Sequence, residues 1–149
     1  MDYVVGFAFD PTWARVVLVR KVKPAWQSGR LNGVGGKVEP GETALEAMVR
    51  EFREETGVAT APEAWSHRVH LTFPGGTVAF FSACLADIDG VRTTTQETIE
   101  IVPSVPVHPD ALPNLHWLIP LCLDAVSGPG PIAVADNDDG SALRAVLEA

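Results

Sequence analysis

Apolar and β-branched residues fill two segments near the N-terminus, at 3–9 and 15–19. The pair Asp10-Pro11 separates them, and this pair is typical of a turn. Runs of this composition on either side of a turn signal predict an antiparallel hairpin. The polar segment 21–30 that follows predicts a loop.

Apolar positions recur at helical spacing across residues 43–56. Thr43 suits an N-cap, with Glu46 three residues on as the partner of a capping box. Gly57 suits the left-handed residue that follows a helix. The segment therefore predicts a helix whose buried stripe consists of Ala44, Leu45, Met48, Val49 and Phe52.

Downstream, the pattern returns to strands and then to helices. Two strands are expected at 67–73 and 78–85, on either side of Pro74-Gly75-Gly76, and a third within 98–107. The remaining predicted elements are a helix at 114–126 that contains Pro120, a strand at 132–135 and a short helix at 141–147. Strands first, one inserted helix, then more strands and helices predict an α+β fold with a mixed sheet. A chain of 149 residues fits a single domain, 1–149.

Composition and charge narrow the class of partner. The net charge of −8 opposes binding to DNA or RNA, and the 11 lysines and arginines form no long basic run. A small phosphate ligand stays compatible with this charge because bound divalent cations can reverse the local sign. No apolar run approaches the roughly 20 residues that span a membrane.

The two cysteines and the N-terminus bear on the compartment. Cys84 and Cys122 lie far apart without metal-ligand spacing, so they are expected to be two buried free thiols. Free thiols suit a reducing cytosol, and the first ten residues lack the basic region of a signal peptide. A cytoplasmic location is therefore expected.

Three glutamates share one flank of the predicted helix at 43–56. Glu51 and Glu55 are four residues apart, and Glu54 lies beside them. Like charges at this spacing destabilise a helix, and Arg50, within reach of Glu54 or Glu46, can offset only part of the repulsion. A hard divalent cation such as Mg²⁺ or Mn²⁺ would neutralise the set. The alternative is a solvated acidic face with surface ion pairs.

Residues 36–58 resemble the Nudix box, and every fixed position matches without a gap. The matching residues are Gly36, Glu42, Arg50, Glu51, Phe52, Glu54, Glu55, Gly57 and Val58. Glycines precede the box at 33–36 and permit close backbone approach to a ligand. The resemblance implies the Nudix-type α/β/α sandwich around a mixed β-sheet.

The resemblance also implies hydrolysis of a nucleoside diphosphate linked to another group, with magnesium as cofactor and manganese as an alternative. The implied catalytic residues are Arg50, Glu51, Glu54 and Glu55, with Glu51 the first choice of general base. The implied metal ligands are Gly35, Glu51, Glu54, Glu55 and a downstream acid, for which Glu97 is preferred to Glu100. Glu42 and Gly36 are implied to contact these residues and orient them without binding the metal themselves.

The stretch 30–37 resembles the oxidised-purine triphosphatases, the MutT-like branch of the family. This implies that Asn32 binds a purine edge, that Lys37 contacts a phosphate and that Asn114 lies near the base. Asn114 stands where that branch keeps acids, so a preference for oxidised guanine stays open. Asn32 could instead bond the backbone as a strand-edge residue, and Lys37 could be a solvated strand lysine.

The expected reaction converts an ordinary or oxidised purine nucleoside triphosphate to a monophosphate and pyrophosphate. Trp26 and Trp117 could stack on the base or belong to the core. An ADP-sugar or a dinucleoside polyphosphate is the alternative substrate, and a nucleotide-sensing module without catalysis is the alternative class. The family often dimerises, so a homodimer is compatible with the resemblance.

Overall fold

The computed structural model describes residues 1–124 and 130–136 of the 149-residue chain. The described part contains eight strands and two α-helices. In chain order they are β1 (Asp2–Phe9), β2 (Arg15–Arg20), β3 (Leu31–Asn32), β4 (Val34–Lys37), α1 (Ala44–Thr56), β5 (Trp65–Phe73), β6 (Gly76–Cys84), β7 (Thr98–Pro103), α2 (Leu115–Leu123) and β8 (Ile132–Ala135).

All eight strands join one mixed sheet, as predicted. The strand order is β3-β2-β1-β6-β5-β8, with β4 paired to β1 and β7 paired to β2. The pairs β1–β6 and β5–β8 are parallel, and the other pairs are antiparallel. The predicted hairpin is present, since Ala8 of β1 lies opposite Val17 of β2.

Among the described residues, each face of the sheet is covered by one helix, which confirms the α/β/α sandwich. Strand β1 contributes to the core on both faces, because alternate side chains of a strand point to opposite faces of the sheet. Val4 and Ala8 belong to the core cluster that contains α1. Phe7 and Phe9 belong to the other cluster, which contains α2. The hydrophobic sequence of β1 is thus divided between two cores.

Helix α1 has the predicted ends. The Thr43 side chain accepts a hydrogen bond from the Glu46 amide, and the Glu46 carboxylate accepts one from the Thr43 amide. Gly57 ends the helix with φ +77°, in the left-handed region. The buried residues of α1 are Ala47, Met48, Phe52 and Thr56, while Ala44, Leu45 and Val49 pack partly buried against the same core.

Helix α2 is shorter than the predicted 114–126. Asp124 is extended, and its amide donates to the Leu121 carbonyl, which closes the helix at Leu123. Arg68 donates to the carbonyls of Leu121 and Asp124, so it caps this end from β5. Pro120 lies inside the helix.

The predictions for the two cysteines and for the last helix have different outcomes. Cys122 is buried as predicted, but Cys84 is exposed because it is the last residue of β6, directly after the buried run 79–83. The predicted helix at 141–147 lies outside the described residues. Across residues 1–124 and 130–136, no helix has the length and apolarity needed to cross a membrane.

Candidate active site

Arg50 connects the acids of α1 to one another and to the loop before the helix. Its Nε and Nη2 donate to the two carboxylate oxygens of Glu42 at 2.7 and 2.9 Å. Its Nη1 donates to Glu51 Oε1 at 2.9 Å and to Glu54 Oε2 at 3.2 Å. Nη2 also donates to the Lys37 carbonyl at 2.9 Å, so the same guanidinium ties α1 to β4.

The guanidinium of Arg50 and the Glu39 amide lower the pKa of Glu42 to about 2. Two parallel N–H···O bonds make this the strong, directional form of ion pair. The side chains of Arg50 and Glu42 are only 18% and 15% exposed, so the pair is little screened by water. Glu42 thus holds the Arg50 guanidinium beside Glu51 and Glu54.

Burial raises the pKa of two acids on the helix flank. For Glu51 the main opposing influence is the hydrogen bond from Arg50. For Glu55 it is a hydrogen bond from Thr95, and the negative charge of Glu97 adds to the increase. Both carboxylates are therefore desolvated, and their contacts compensate this only in part: Glu51 shares the guanidinium of Arg50 with Glu42, and Glu55 has a hydroxyl group as its hydrogen-bond donor.

The two glycines of β4 bring the backbone close to its neighbours in different ways. A Cβ on Gly36 would lie 2.4 Å from Glu51 Oε1. A Cβ on Gly35 would lie 1.9 Å from the Val4 carbonyl oxygen. Gly36 thus leaves room for a carboxylate of the helix, whereas Gly35 leaves room for the backbone of β1.

A cavity of about 660 Å³ opens on the α2 side of the sheet, next to β4. Three residues that the sequence nominated for substrate binding, Asn32, Lys37 and Asn114, line it together with Gly35 and Gly36. Its apolar wall consists of Tyr3, Val4, Val5, Leu71, Phe73, Val78, Phe80 and Leu112. An apolar pocket with a few convergent polar groups is the usual form of a small-molecule site.

The amide of Asn32 is held from two sides. Its Oδ1 accepts from the Gly33 amide at 2.8 Å, and its Nδ2 donates to Gln27 Oε1 at 3.3 Å. The backbone bond expected of a strand-edge asparagine is therefore present. The side chain nevertheless lines the cavity, where it retains one N–H and one lone pair for a ligand.

The two downstream acids have different surroundings. Glu100 on β7 is paired with Arg20 of β2, which also contacts Asp110. Glu97 precedes β7, is 9% exposed and accepts a hydrogen bond from Lys21 Nζ at 2.8 Å. Of the two, only Glu97 contributes to the pKa of Glu55.

The oxygen donors on the acidic side of α1 suit a hard divalent cation. It consists of the carboxylates of Glu51, Glu54 and Glu55, with the Gly35 carbonyl on the neighbouring strand, and oxygen donors of this kind match magnesium or manganese. Glu55 takes part in no ion pair with any described residue. Within residues 1–124 and 130–136 no three acidic, histidine or cysteine side chains are already gathered into a metal site. Rotation of side chains on this flank is what would gather them.

Sequence reasoning missed several residues that surround the cavity. Lys21 and Lys23 line it, whereas Trp26 is the residue of the predicted loop 21–30 that the sequence nominated for substrate binding. In the described part of the chain neither Lys23 nor Lys37 takes part in an ion pair. Lys21 is paired with Glu97, so Lys23 and Lys37 are the lysines whose positive charge is available to an anion in this cavity, in a chain of net charge −8. The signal in the sequence was the close spacing of Lys21 and Lys23 before Pro24.

The two candidate tryptophans, Trp26 and Trp117, differ in their exposure to solvent. Trp26 is 58% exposed and lines the cavity. Of the two alternatives, stacking on a base is therefore the one compatible with its position, since it is not part of the core. Trp117 packs partly buried against the α2-side core. Its indole nitrogen is buried without a hydrogen-bond partner in the described part of the chain.

Comparison with known proteins gives a family match. The sequence model of the NUDIX domain matches residues 2–108. The chain is 30% identical over 130 residues to the oxidized purine nucleoside triphosphate hydrolase of Mus musculus, covering 82% of this chain and 81% of that protein. It is 32% identical over 59 residues to the 8-oxo-dGTP diphosphatase of Escherichia coli (strain K12), covering 40% and 46%.

A solved structure agrees on the fold. The mutator MutT protein from Bacillus halodurans superposes with a TM-score of 0.66 at 19% sequence identity, covering 91% of this chain and 88% of that one. At this identity the likeness bears on architecture alone. The mixed sheet between two helices is thus the architecture of the matched structure.

Proposed function

The chain belongs to the Nudix family, and from that premise we propose that it hydrolyses purine nucleoside triphosphates to monophosphates and pyrophosphate. It is a Nudix hydrolase, and nucleotide pyrophosphohydrolysis is the activity its relatives support. The purine triphosphate, ordinary or oxidised, is the substrate class we assign. No nucleic-acid polymer is required as partner.

One observation carries the assignment. The cavity and the acidic flank meet at β4, because Gly36 lines the cavity and also packs against the Glu51 carboxylate. A base seated against Asn32 and the apolar wall would therefore direct its phosphates towards Lys37 and α1. A nucleotide carries its base at one end and its phosphates at the other. This surface has Asn32 and the apolar wall at one end, and Lys37 and α1 at the other.

The roles of the side chains follow from their contacts. We assign Glu51, Glu54, Glu55 and the Gly35 carbonyl as the groups that hold Mg²⁺, with Mn²⁺ as a substitute. A divalent cation bound there supplies positive charge that screens the polyphosphate and makes water easier to deprotonate. Arg50, fixed by Glu42, keeps Glu51 and Glu54 on one flank.

Glu51 is our choice of general base. Its Oε2 stays available for a proton because Arg50 bonds Oε1. The carboxylate would take a proton from the attacking water at this oxygen. Lys37 and Lys23 would contact phosphate oxygens, which need charge stabilisation but no covalent chemistry from the protein.

The test is a panel of substrates assayed with magnesium, with manganese and with EDTA. The panel contains dGTP, 8-oxo-dGTP, an ADP-sugar and a dinucleoside polyphosphate. We expect pyrophosphate and monophosphate from the purine triphosphates, and no product in EDTA. Turnover of the ADP-sugar or the dinucleoside polyphosphate alone would replace the substrate assignment. Tight nucleotide binding without turnover across the panel would make the protein a sensor.

Two variants test the acids directly. Glu54→Gln and Glu55→Gln should each lower kcat by roughly 10²-fold or more while circular dichroism stays unchanged, because loss of a metal ligand should exceed the roughly 10–100-fold effect of losing a residue that only supports one. Glu63→Gln is the matched control, since Glu63 is an exposed acid in the turn Pro62–Ala64 after α1. Turnover of both acid variants within tenfold of the parent would remove the acids from the assignment.

A further inference from the structure

One wall of the cavity is a rim segment, residues 21–27, that leaves the sheet after β2. It contributes Lys21, Lys23, Pro24, Trp26 and Gln27 to the cavity lining. This loop carries two of the cavity's three lysines and its exposed tryptophan. Its position relative to the sheet therefore determines the shape of the cavity.

Glu97 receives three hydrogen bonds from this rim segment. Its Oε1 accepts from Lys21 Nζ at 2.8 Å. Its Oε2 accepts from the Val22 amide at 2.7 Å and from the Lys23 amide at 3.3 Å. The carboxylate is buried, and bonds from an ammonium group and backbone amides are the strong, charge-assisted kind.

The segment that carries Glu97 is also bonded to the end of α1. The Glu97 amide donates to Thr95 Oγ1 at 3.1 Å, and Thr95 Oγ1 donates to Glu55 Oε2 at 3.2 Å. Thr94 Oγ1 donates to the Glu54 carbonyl. A continuous set of contacts therefore runs from the acids of α1, through residues 94–97, to the rim segment.

We propose that Glu97 is a positioning residue, a clasp that holds the rim segment at a fixed distance from Glu55. The inference rests on the proposed function, because it takes the cavity as the nucleotide site. With the clasp closed, a base held by the rim has its phosphates placed at the acidic flank. With the clasp open, the rim segment moves independently of α1 and the nucleotide loses this alignment.

This role differs from metal ligation, the role that the sequence resemblance implied for Glu97. Both carboxylate oxygens already have donors, and one donor is an ammonium group that a cation would have to displace. Burial alone would raise the pKa of Glu97, but the bonds from Lys21 and the two amides hold that pKa below its ordinary value. The clasp is thus formed by residues of the chain itself.

Glu97→Gln separates the two roles. A glutamine places an NH₂ group against either Lys21 or the two amides, so one side of the clasp is lost. In EDTA, hydrogen exchange should be at least tenfold faster at the Val22 amide and across peptides covering 21–27. With saturating magnesium, KM for dGTP should rise about tenfold, while the magnesium concentration for half-maximal activity stays within twofold of the parent.

Asp89→Asn is the matched control, because Asp89 pairs with Arg15 at 3.0 Å and does not line the cavity. Its exchange and KM should equal those of the parent. Lys21→Met is a second route to an open clasp if the Glu97 variant folds poorly, and it should also speed exchange at residues 21–27.

Two results would overturn the inference. One is unchanged exchange at Val22 in both the Glu97→Gln and the Lys21→Met variants. The other is a large rise in the magnesium requirement with KM for dGTP unchanged, which would make Glu97 a metal ligand. An inactive parent enzyme would defeat the proposed function instead, and the exchange result in EDTA would still decide whether the clasp exists.

Discussion

Gly35 and Gly36 are neighbours in β4, yet substitution should affect different properties. A Cβ on Gly36 meets the end of a flexible side chain, Glu51, which can rotate away. A Cβ on Gly35 meets the Val4 carbonyl, which the sheet holds in place. Gly36→Ala should therefore lower kcat more than tenfold with little loss of stability, because Glu51 is displaced.

Gly35→Ala should instead destabilise the fold by about 2 kcal/mol or more, since overpacking of a fixed neighbour costs on the order of 1–3 kcal/mol. Urea unfolding in EDTA measures the stability of both variants, and steady-state kinetics measure kcat. A stable but inactive Gly35→Ala, paired with an unstable Gly36→Ala, would contradict this account of the two glycines.

At this scale the sequence predicted much of the candidate site. Glu42, Arg50 and the flank acids Glu51, Glu54 and Glu55 follow from one continuous segment, in which helical spacing determines which side chains are neighbours. The sequence did not reveal that Lys21 contacts Glu97, because 76 positions separate them. A contact of that kind depends on how β2 and β7 pair, which no local pattern encodes.

At the level of elements, the Glu42–Arg50 pair fastens the loop before α1 to the helix. The pKa of Glu42 falls from its ordinary value of 4.5 to about 2, so the ionised form stabilises the folded state. This stabilisation is complete above about pH 4.5 and is lost as the pH falls towards 2. Glu42→Gln should remove it at every pH.

The parent should therefore exceed Glu42→Gln in unfolding free energy by about 1.5–3 kcal/mol at pH 6–7, the usual contribution of a hydrogen bond to a charged group. The difference should shrink steadily between pH 4.5 and pH 2. Urea titrations at several pH values in EDTA measure it, with Glu63→Gln as an exposed-acid control. A difference that is constant down to pH 2 would show that charge plays no part.

The elements themselves were predicted unevenly. Helix α1 was predicted to within a residue, because its capping box, apolar stripe and left-handed glycine agree. No strand was predicted for the glycine-rich segment 31–39, which contains β3 and β4. Glycines carry no side-chain alternation, so the only sign of these strands is their pairing with β2 and β1.

For the whole molecule, the order of segments around the cavity matters more than any single element. The lining comes from β1, β3, β4, β5, β6, the rim segment and the chain before α2. The sequence predicted the class of fold and the separate candidates Asn32, Lys37 and Asn114. Their convergence required the sheet order, in which β1 lies between β2 and β6 and also pairs with β4.

A ligand that contacts so many separate segments should stabilise the entire fold, because it binds only when all of them are assembled. At a concentration of about 100 times its Kd, such a ligand adds about 2.7 kcal/mol to the unfolding free energy. For a chain of this length that corresponds to a rise in Tm on the order of 5–10 °C. The product dGMP, in EDTA, tests this without turnover.

The control ligand is ribose 5-phosphate, which has the phosphate but no base. If the apolar wall and Asn32 bind the purine, dGMP should raise Tm and ribose 5-phosphate at the same concentration should not. Asn32→Leu should reduce the dGMP shift to less than half, because Asn32 lines the cavity and the leucine leaves no polar group for the base edge. Equal shifts from both ligands would mean that the lysines bind phosphate while the base stays in solvent. In that case the cavity would not determine which nucleotide is cleaved.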